Sequence, residues 1–525
     1  MTHPCVVTLE RDSRPRVLFS GDQLVEVDLP VGTRVIYPKP PIEPLKDPDA
    51  AIRYALNHPL GSEPLYAKLT PGMRVTIAVD DISLPLPPMR RPDVRQRVLE
   101  VVLALLADHA VDDIEIIVAT GIHRRMKAAE VRHMVGDKVF DAYWPDRLYN
   151  HDAEDRDNLA VVGTTDQGEV IELNKRAAES DLIIYVNLNF VPMNGGHKSL
   201  MCGLASYRSL MHHHNPETIR ACESYMDPAK SELSNRLTRM GRVANQALNV
   251  FTIETTVNNR MFDPTLSFLA KNEDELDGRE RALLSGLVAT TARLPQVARQ
   301  AIFEKFPAPY GVTGVWAGET EAVHEKTLER CFEQYSVPVS GQSDVVVFPI
   351  PYISPYNVHA YLNPLLVSVL AQGYLFNMNR GVPLVKKGGT IILLHPCSDK
   401  FDHEQHAPYI EFVHRLLPET RDAAELHKRY EKKMASDPAF IQMFRTGHAY
   451  HPAHPFYMWY WGENGRQHAG KVIVVGADNE YIPKLLGYET APNMDEALYR
   501  AKNGEAKSLS VSCLHVPPIV MADVR

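Results

Sequence analysis

Residues 194–216, NGGHKSLMCGLASYRSLMHHHNP, join a glycine pair to a lysine and end in three consecutive histidines. A glycine pair lets backbone N–H groups turn toward an anion, and the positive end of a following helix adds to that attraction. The lysine brings an amine, and neutral imidazole is a good ligand for nickel, zinc or copper. The phosphate-loop pattern is not met, because His197 separates Gly196 from Lys198 and the first glycine of that pattern is missing. Alone, the stretch reads as a Gly-Gly turn with a solvated lysine. Three adjacent imidazoles cannot all point one way, so at most two serve one ion. The other reading is polar decoration at a helix end.

Other loops carry further candidates. VATGIHRRM puts His123 on a glycine-containing turn just past an apolar run, where it can act as a general base near neutral pH or simply bond a carbonyl. VDDISLPLP supplies Asp80, Asp81 and Ser83, which can cap a helix or orient a phosphate or a cation. GHAYHPAHPFYMWYW holds His448, His451 and His454, but Pro452 and Pro455 are expected to break the helix that would align them. An ordered, partly buried loop is the expectation there, and DKFDHEQH (399–406) reads as a solvated turn.

The elements that must position these groups alternate. MRVTIAVDD (73–81), DDIEIIVATG (112–121) and SDLIIYVNLN (180–189) read as strands, with a helical pattern at 94–111 between the first two. That order predicts parallel βαβ units, whose functional loops lie at the carboxyl ends of the strands. A second group repeats the pattern: 343–350, 388–399 and 470–478 as strands and 360–374 as helix. The expected fold is α/β, with two α/β domains, each a mainly parallel sheet flanked by helices, and a site in the cleft between them. The expected boundaries are 1–259, a helical insertion or connector at 260–311, and 312–525.

Composition bounds the function. A chain of 525 residues is too long for one compact core. A net charge of -9 argues against a nucleic-acid partner, which needs a clustered basic face. No apolar run is long enough to span a bilayer, and the early acid in MTHPCVVTLERDSRPRV argues against a signal peptide. The six scattered cysteines suggest neither a disulfide framework nor a metal pair, only idle thiols in a reducing cytoplasm.

Together, and in their order, the segments resemble the lactate racemase family, which depends on a nickel-pincer nucleotide. DISLPLP resembles the family's D-x-T-R-P-x-P, ATGIHRRM its A-T-G-x-H-R-x-M, and GGHKSLMCGLASYRSLMHHH its G-G-x-K…H stretch. VWAGETEAVHEK and VKKGGTIILLHPCSD resemble two downstream segments. The family's cofactor is a pyridinium-3-thioamide-5-thiocarboxylic acid mononucleotide that clamps nickel through carbon and two sulfurs. The resemblance implies that Lys198 is its covalent anchor and hence part of the catalytic set, and that His214 completes the nickel site. It also implies that Gly195, Gly196 and Ser199 meet the phosphate, and that Asp81, Ser83 and Thr120 join the cofactor-binding set. His123 matches one general base.

The implied reaction is racemisation or epimerisation of a 2-hydroxy acid by hydride abstraction and return. The implied partners are that substrate, cofactor-synthesis proteins and a homodimer mate. Three departures stand out: Leu84 replaces an arginine, Asn187 and Asn189 precede the glycine pair where a histidine is expected, and PYISPYNVHAYLNP offers His359 and Tyr361 but no lysine. A second base is therefore left to His359 or another residue. The expected substrate moves from lactate toward a bulkier hydroxy acid, a sugar acid or a one-directional redox reaction. Two other readings stay open: an enzyme of the same fold without the pincer cofactor, and a catalytically silent binding protein.

Overall fold

The computed structural model describes residues 3–502 and 508–525. Its architecture is mixed α/β, with mainly parallel sheets flanked by helices. Among the described residues the first large sheet has six strands. Their order is Val312–Gly318, Val250–Val257, Leu182–Asn189, Arg74–Asp80, Asp113–Ala119 and Leu148–Asn150. All neighbours pair in parallel except Val312–Gly318, which runs antiparallel at the edge. Every residue of Leu182–Asn189 is buried, as a central parallel strand covered on both faces requires. The helix Val94–Asp108 makes the crossover between Arg74–Asp80 and Asp113–Ala119. Asp93 starts it by accepting a hydrogen bond from the Arg95 N–H.

This order matters for function. From Arg74–Asp80 the chain builds outward through Asp113–Ala119 and Leu148–Asn150, then returns to add Leu182–Asn189 on the other side. The strand order reverses between Asp80 and Asn189. The helices and loops that follow diverge there and leave a crevice, the usual ligand site of an open parallel sheet.

Among the described residues the second sheet has seven strands, in the order Val6–Thr8, Arg34–Ile36, Val511–Leu514, Ser343–Pro349, Val385–Leu394, Lys471–Val475 and Glu489–Ala491. The sheets do not follow the division of the chain at 259 and 312. Val6–Thr8 and Arg34–Ile36 cover an edge of the sheet built from late residues, with Val35 and Ile36 fully buried, while Val312–Gly318 belongs to the first sheet. Residues 260–311 hold the helices Gly278–Arg293 and Gln296–Lys305. Phe268, Leu276 and Leu284 of this segment pack on Val17, Phe19 and Leu24 of the hairpin Arg16–Ser20 and Gln23–Val27. Among the described residues no helix is long and apolar enough to cross a membrane.

The helix His454–Trp461 corrects one expectation. Pro455 lies in its first turn, where its fixed φ suits helix entry and its missing N–H costs nothing, so it starts the helix rather than breaking it. All eight of its residues are buried. A helix that is apolar on every face belongs inside the protein.

Candidate active site

A cavity of about 220 Å³ opens at the reversal point of the first sheet and is lined from both halves of the chain. The early residues supply most of its polar groups: Asp80, Asp81, His123, Lys198, Cys202 and His214. The late residues close it with Tyr356, Tyr374, His454, Tyr457, Trp461 and the 516–520 segment.

Asp80 ends its strand and reaches across to the next. Its carboxylate accepts from the Leu188 N–H at 2.9 Å and from the Tyr185 hydroxyl at 3.1 Å. Burial outweighs these bonds and pushes its pKa up to about 7. Asp81 turns the other way. One oxygen accepts from the N–H and hydroxyl of Ser83, and the other lies 2.7 Å from His123 Nδ1. Burial raises the Asp81 carboxyl, but His123 and Ser83 together hold it below its usual range. A carboxylate is acceptor-only, so His123 carries a proton on Nδ1, and it is Nε2 that is left to accept or release a second proton. Ser83 thereby serves Asp81, and the Thr120 hydroxyl donates to the His151 carbonyl at 3.1 Å, although both residues border the cavity.

The glycine pair makes a left-handed turn, with φ of +87° at Gly195 and +58° at Gly196. A Cβ on Gly195 would sit 2.5 Å from Asn189 Oδ1, and one on Gly196 would sit 2.8 Å from the His324 ring. The turn is thus pressed onto the sheet, which only glycine permits. Its anion is internal: the Gly196 N–H donates to Glu254 at 2.6 Å, and Ser199 donates to Asn187 at 3.1 Å. Of the expected phosphate donors, Gly195 and Ser199 border the cavity and Gly196 does not. Contact of the Gly196 N–H or the Ser199 hydroxyl with a phosphate would require exchanging these protein partners.

Gly196 opens the short helix His197–Gly203, which carries Lys198 and, one turn on, Cys202 along the cavity. Among the described residues the Lys198 ammonium has no hydrogen bond and no ion pair. Burial lowers its pKa against the opposing pull of Cys202 and Asp80. Burial also pushes the Cys202 thiol up to about 12. His213 and His214 face each other with Nδ1 atoms 2.7 Å apart, and burial keeps both rings neutral at pH 7. The ligand atoms of Cys202, His213 and His214 lie within 4.8 Å of one another, a sulfur-and-imidazole donor set.

Sequence reasoning found Lys198, His214 and His123 but passed over their neighbours. Cys202 looked like an idle thiol, and no spacing rule ties it to His213. Its place one turn after Lys198 on a helix was the available signal. His359, a candidate second base, borders only a small side pocket, with 43% of its side chain exposed and Glu130 at 3.8 Å. The three histidines of the aromatic segment diverge: His448 bonds the Arg125 carbonyl, His451 bonds Glu154, and His454 alone reaches the cavity.

Residues 20–226 match the family described as lactate racemase N-terminal domain, a span that includes His123, Lys198 and His214 but not His359. The lactate racemase of Thermoanaerobacterium thermosaccharolyticum is 25% identical over 178 residues, and that of Lactiplantibacillus plantarum 27% over 175. Each aligned stretch covers 32% of this chain and about two-fifths of the relative, 38% and 39% respectively. The fold is similar to that of the lactate racemase apoprotein from T. thermosaccharolyticum, with a TM-score of 0.61 at 19% identity over 97% of this chain and 99% of that one. It is also similar to that of a Thermotoga maritima protein, with a TM-score of 0.51 at 14% identity over 93% and 100%. Residues 20–226 thus resemble a lactate racemase N-terminal domain, and the chain as a whole shares the fold of a lactate racemase.

Proposed function

We propose that the chain is a racemase or epimerase of a 2-hydroxy acid and that Lys198 tethers a nickel-pincer nucleotide. One observation carries the reading: the unpaired Lys198 amine, the Cys202 thiol with the His214 imidazole, and the Asp81–His123 pair all border one cavity at the sheet's reversal point, with His213 behind His214. The residues fit such a group. Burial raises the uncharged fraction of the Lys198 amine, which is the form that bonds covalently. His214 keeps a lone pair on Nε2 when its Nδ1–H donates to His213, the arrangement usual for a metal-ligating histidine. Imidazole and soft sulfur suit Ni(II).

When bound, the cofactor supplies a hydride acceptor. The chain's own part is proton handling and exclusion of water. Asp81 fixes the His123 tautomer, leaving Nε2 to take the hydroxyl proton and stabilising the imidazolium that results. The aromatic side of the cavity, with Leu84 in place of a cation, offers contact area and few polar partners. A 2-hydroxy acid with a bulky apolar side chain suits it better than lactate or a sugar acid.

The deciding experiment is the intact mass and nickel content of the protein expressed with cofactor-synthesis proteins. A mass increment on Lys198 with stoichiometric nickel is expected, together with loss of optical activity in a panel of chiral hydroxy acids. An unmodified Lys198 under those conditions would refute the tether. A second reading has its own support, because Cys202, His213 and His214 can hold a metal without any nucleotide. Metal without a mass increment is the result that selects it.

A further inference from the structure

His454 is 1% exposed and lines the cavity beside His123, with ring centroids 5.3 Å apart and planes at 84°. Its Nδ1 lies 2.6 Å from the Tyr409 hydroxyl, and its Nε2 has no partner in the protein. Leaving a buried ring nitrogen unpaired costs about 1–3 kcal/mol, so the orphan calls for a reason. His213, His395, His406 and His515 also carry an unpaired ring nitrogen, but none of these four lines this cavity.

The tautomer follows from the partners. Among the described residues the Tyr409 hydroxyl bonds nothing except His454. If His454 donated from Nδ1, the phenol proton would be orphaned as well as the Nε2 lone pair. If the phenol donates to Nδ1, one proton is satisfied and the imidazole proton sits on Nε2. His123 is set the opposite way, with its proton on Nδ1 toward Asp81 and its lone pair on Nε2. Two adjacent imidazoles therefore offer complementary groups, one acceptor and one donor.

Resting on the racemase reading above, we infer that His454 is a second catalytic residue at this site, a neutral N–H donor to the oxygen whose proton His123 removes. A hydroxyl is both donor and acceptor: its proton goes to His123 Nε2, and a lone pair accepts from His454 Nε2–H. On proton transfer the O–H bond breaks, its electron pair stays on oxygen, and the proton binds His123. Loss of hydride from the carbinol carbon to the bound hydride acceptor would turn that oxygen electron pair into the second bond of a carbonyl, whose oxygen only accepts and then faces two N–H donors. The role left open by the missing histidine before Gly195 is thus filled from the late half of the chain, as a polariser rather than as a mirror-image base.

The test uses unloaded protein with ¹⁵N-labelled histidine. Long-range ¹H–¹⁵N correlation, assigned with His454→Gln and His123→Gln, is expected to show the proton of His454 on Nε2 and that of His123 on Nδ1. A proton on Nδ1 of His454 overturns the inference without need of any variant that must fold. Phenylpyruvate, a flat 2-oxo acid with an apolar side chain, is then titrated in. It is expected to shift the His454 Nε2–H resonance downfield and to bind about tenfold more weakly to His454→Phe, the value of one neutral hydrogen bond. His454→Gln, whose amide can donate from a similar place, should bind within about threefold of wild type. Equal binding by all three proteins, or none by wild type at millimolar concentration, removes His454 from the role. Because both arms use unloaded protein, failure of Lys198 to carry a cofactor would defeat the racemase reading and leave these results to be judged separately.

Discussion

The two sides of the cavity are built on different principles. On the early side, reactive groups follow the carboxyl ends of parallel strands or the short helices beyond them, and each is aimed by a neighbour: Asp81 by Ser83, His123 by Asp81, His214 by His213. On the late side, a helix buried on every face presents aromatic rings, and its one reactive group, His454, is aimed by Tyr409. The first side can specify a chemistry, and the second a shape and a dry environment. Both are required, because hydrogen bonds act most strongly where water is excluded.

If that division holds, substitutions on the two sides must fail differently. The largest contrast is at the tether. Lys198→Ala should abolish covalent loading, while Tyr457→Phe, across the cavity, should load like wild type; intact mass separates them, and loading of Lys198→Ala would break the comparison. Next comes the proton. His123→Asn should lower turnover by on the order of 10²–10⁴ with the mass increment intact, since it removes the base and not the anchor. Unchanged kcat in the loaded variant would take His123 out of the mechanism.

The late side should instead answer in stability. Trp459 is 1% exposed, donates from its indole N–H to the Arg421 carbonyl at 3.0 Å, and lies under the Arg466 guanidinium. Trp459→Ala should cost about 3–5 kcal/mol through cavity formation and a lost bond. Equilibrium urea denaturation would show it, and a cost below about 1 kcal/mol would mean that this helix is not the rigid wall described here.

The same division explains what the sequence disclosed. Strand-end groups sit at fixed offsets from apolar runs, so Asp81 and His123 stand out as candidates from local pattern, whereas Lys198 reads as solvated until the order of the segments is considered; the strands at 73–81, 112–121, 180–189 and 343–350 all occur. The late wall was not legible, because its members reach the cavity through tertiary packing alone. Pro455 read as a breaker when it is a helix starter, since the two roles differ only by where the first turn begins. Edge pairing was equally hidden: three-residue strands such as Val6–Thr8 carry too little pattern to say which sheet they join. The use of Gly196 escaped for a related reason. A glycine turn announces that something approaches closely, and here it is Glu254 of the same chain.

The remaining effect lies within the early side and is a dependence on pH rather than a single cost. Asp80 has a folded pKa of about 7 against an ordinary value of 3.8, because burial disfavours its charge more than the bonds from Leu188 and Tyr185 favour it. Between those two values the folded chain binds the proton more tightly than the unfolded chain does. The contribution of Asp80 to stability therefore declines as pH rises from about 4 to about 7 and is level above that. Asp80→Asn cannot titrate. It gives up one of the two accepted bonds at every pH, so its stability relative to wild type should improve steadily across that window and then hold constant. Urea midpoints of both proteins at several pH values test this, and a difference independent of pH would mean that Asp80 is ionised and solvated. The same variant sharpens the view of the tether, because an ionised Asp80 helps to hold the Lys198 ammonium charged. Removing that carboxylate should favour the free amine and bring covalent loading to lower pH, a change the aromatic wall has no charge to produce.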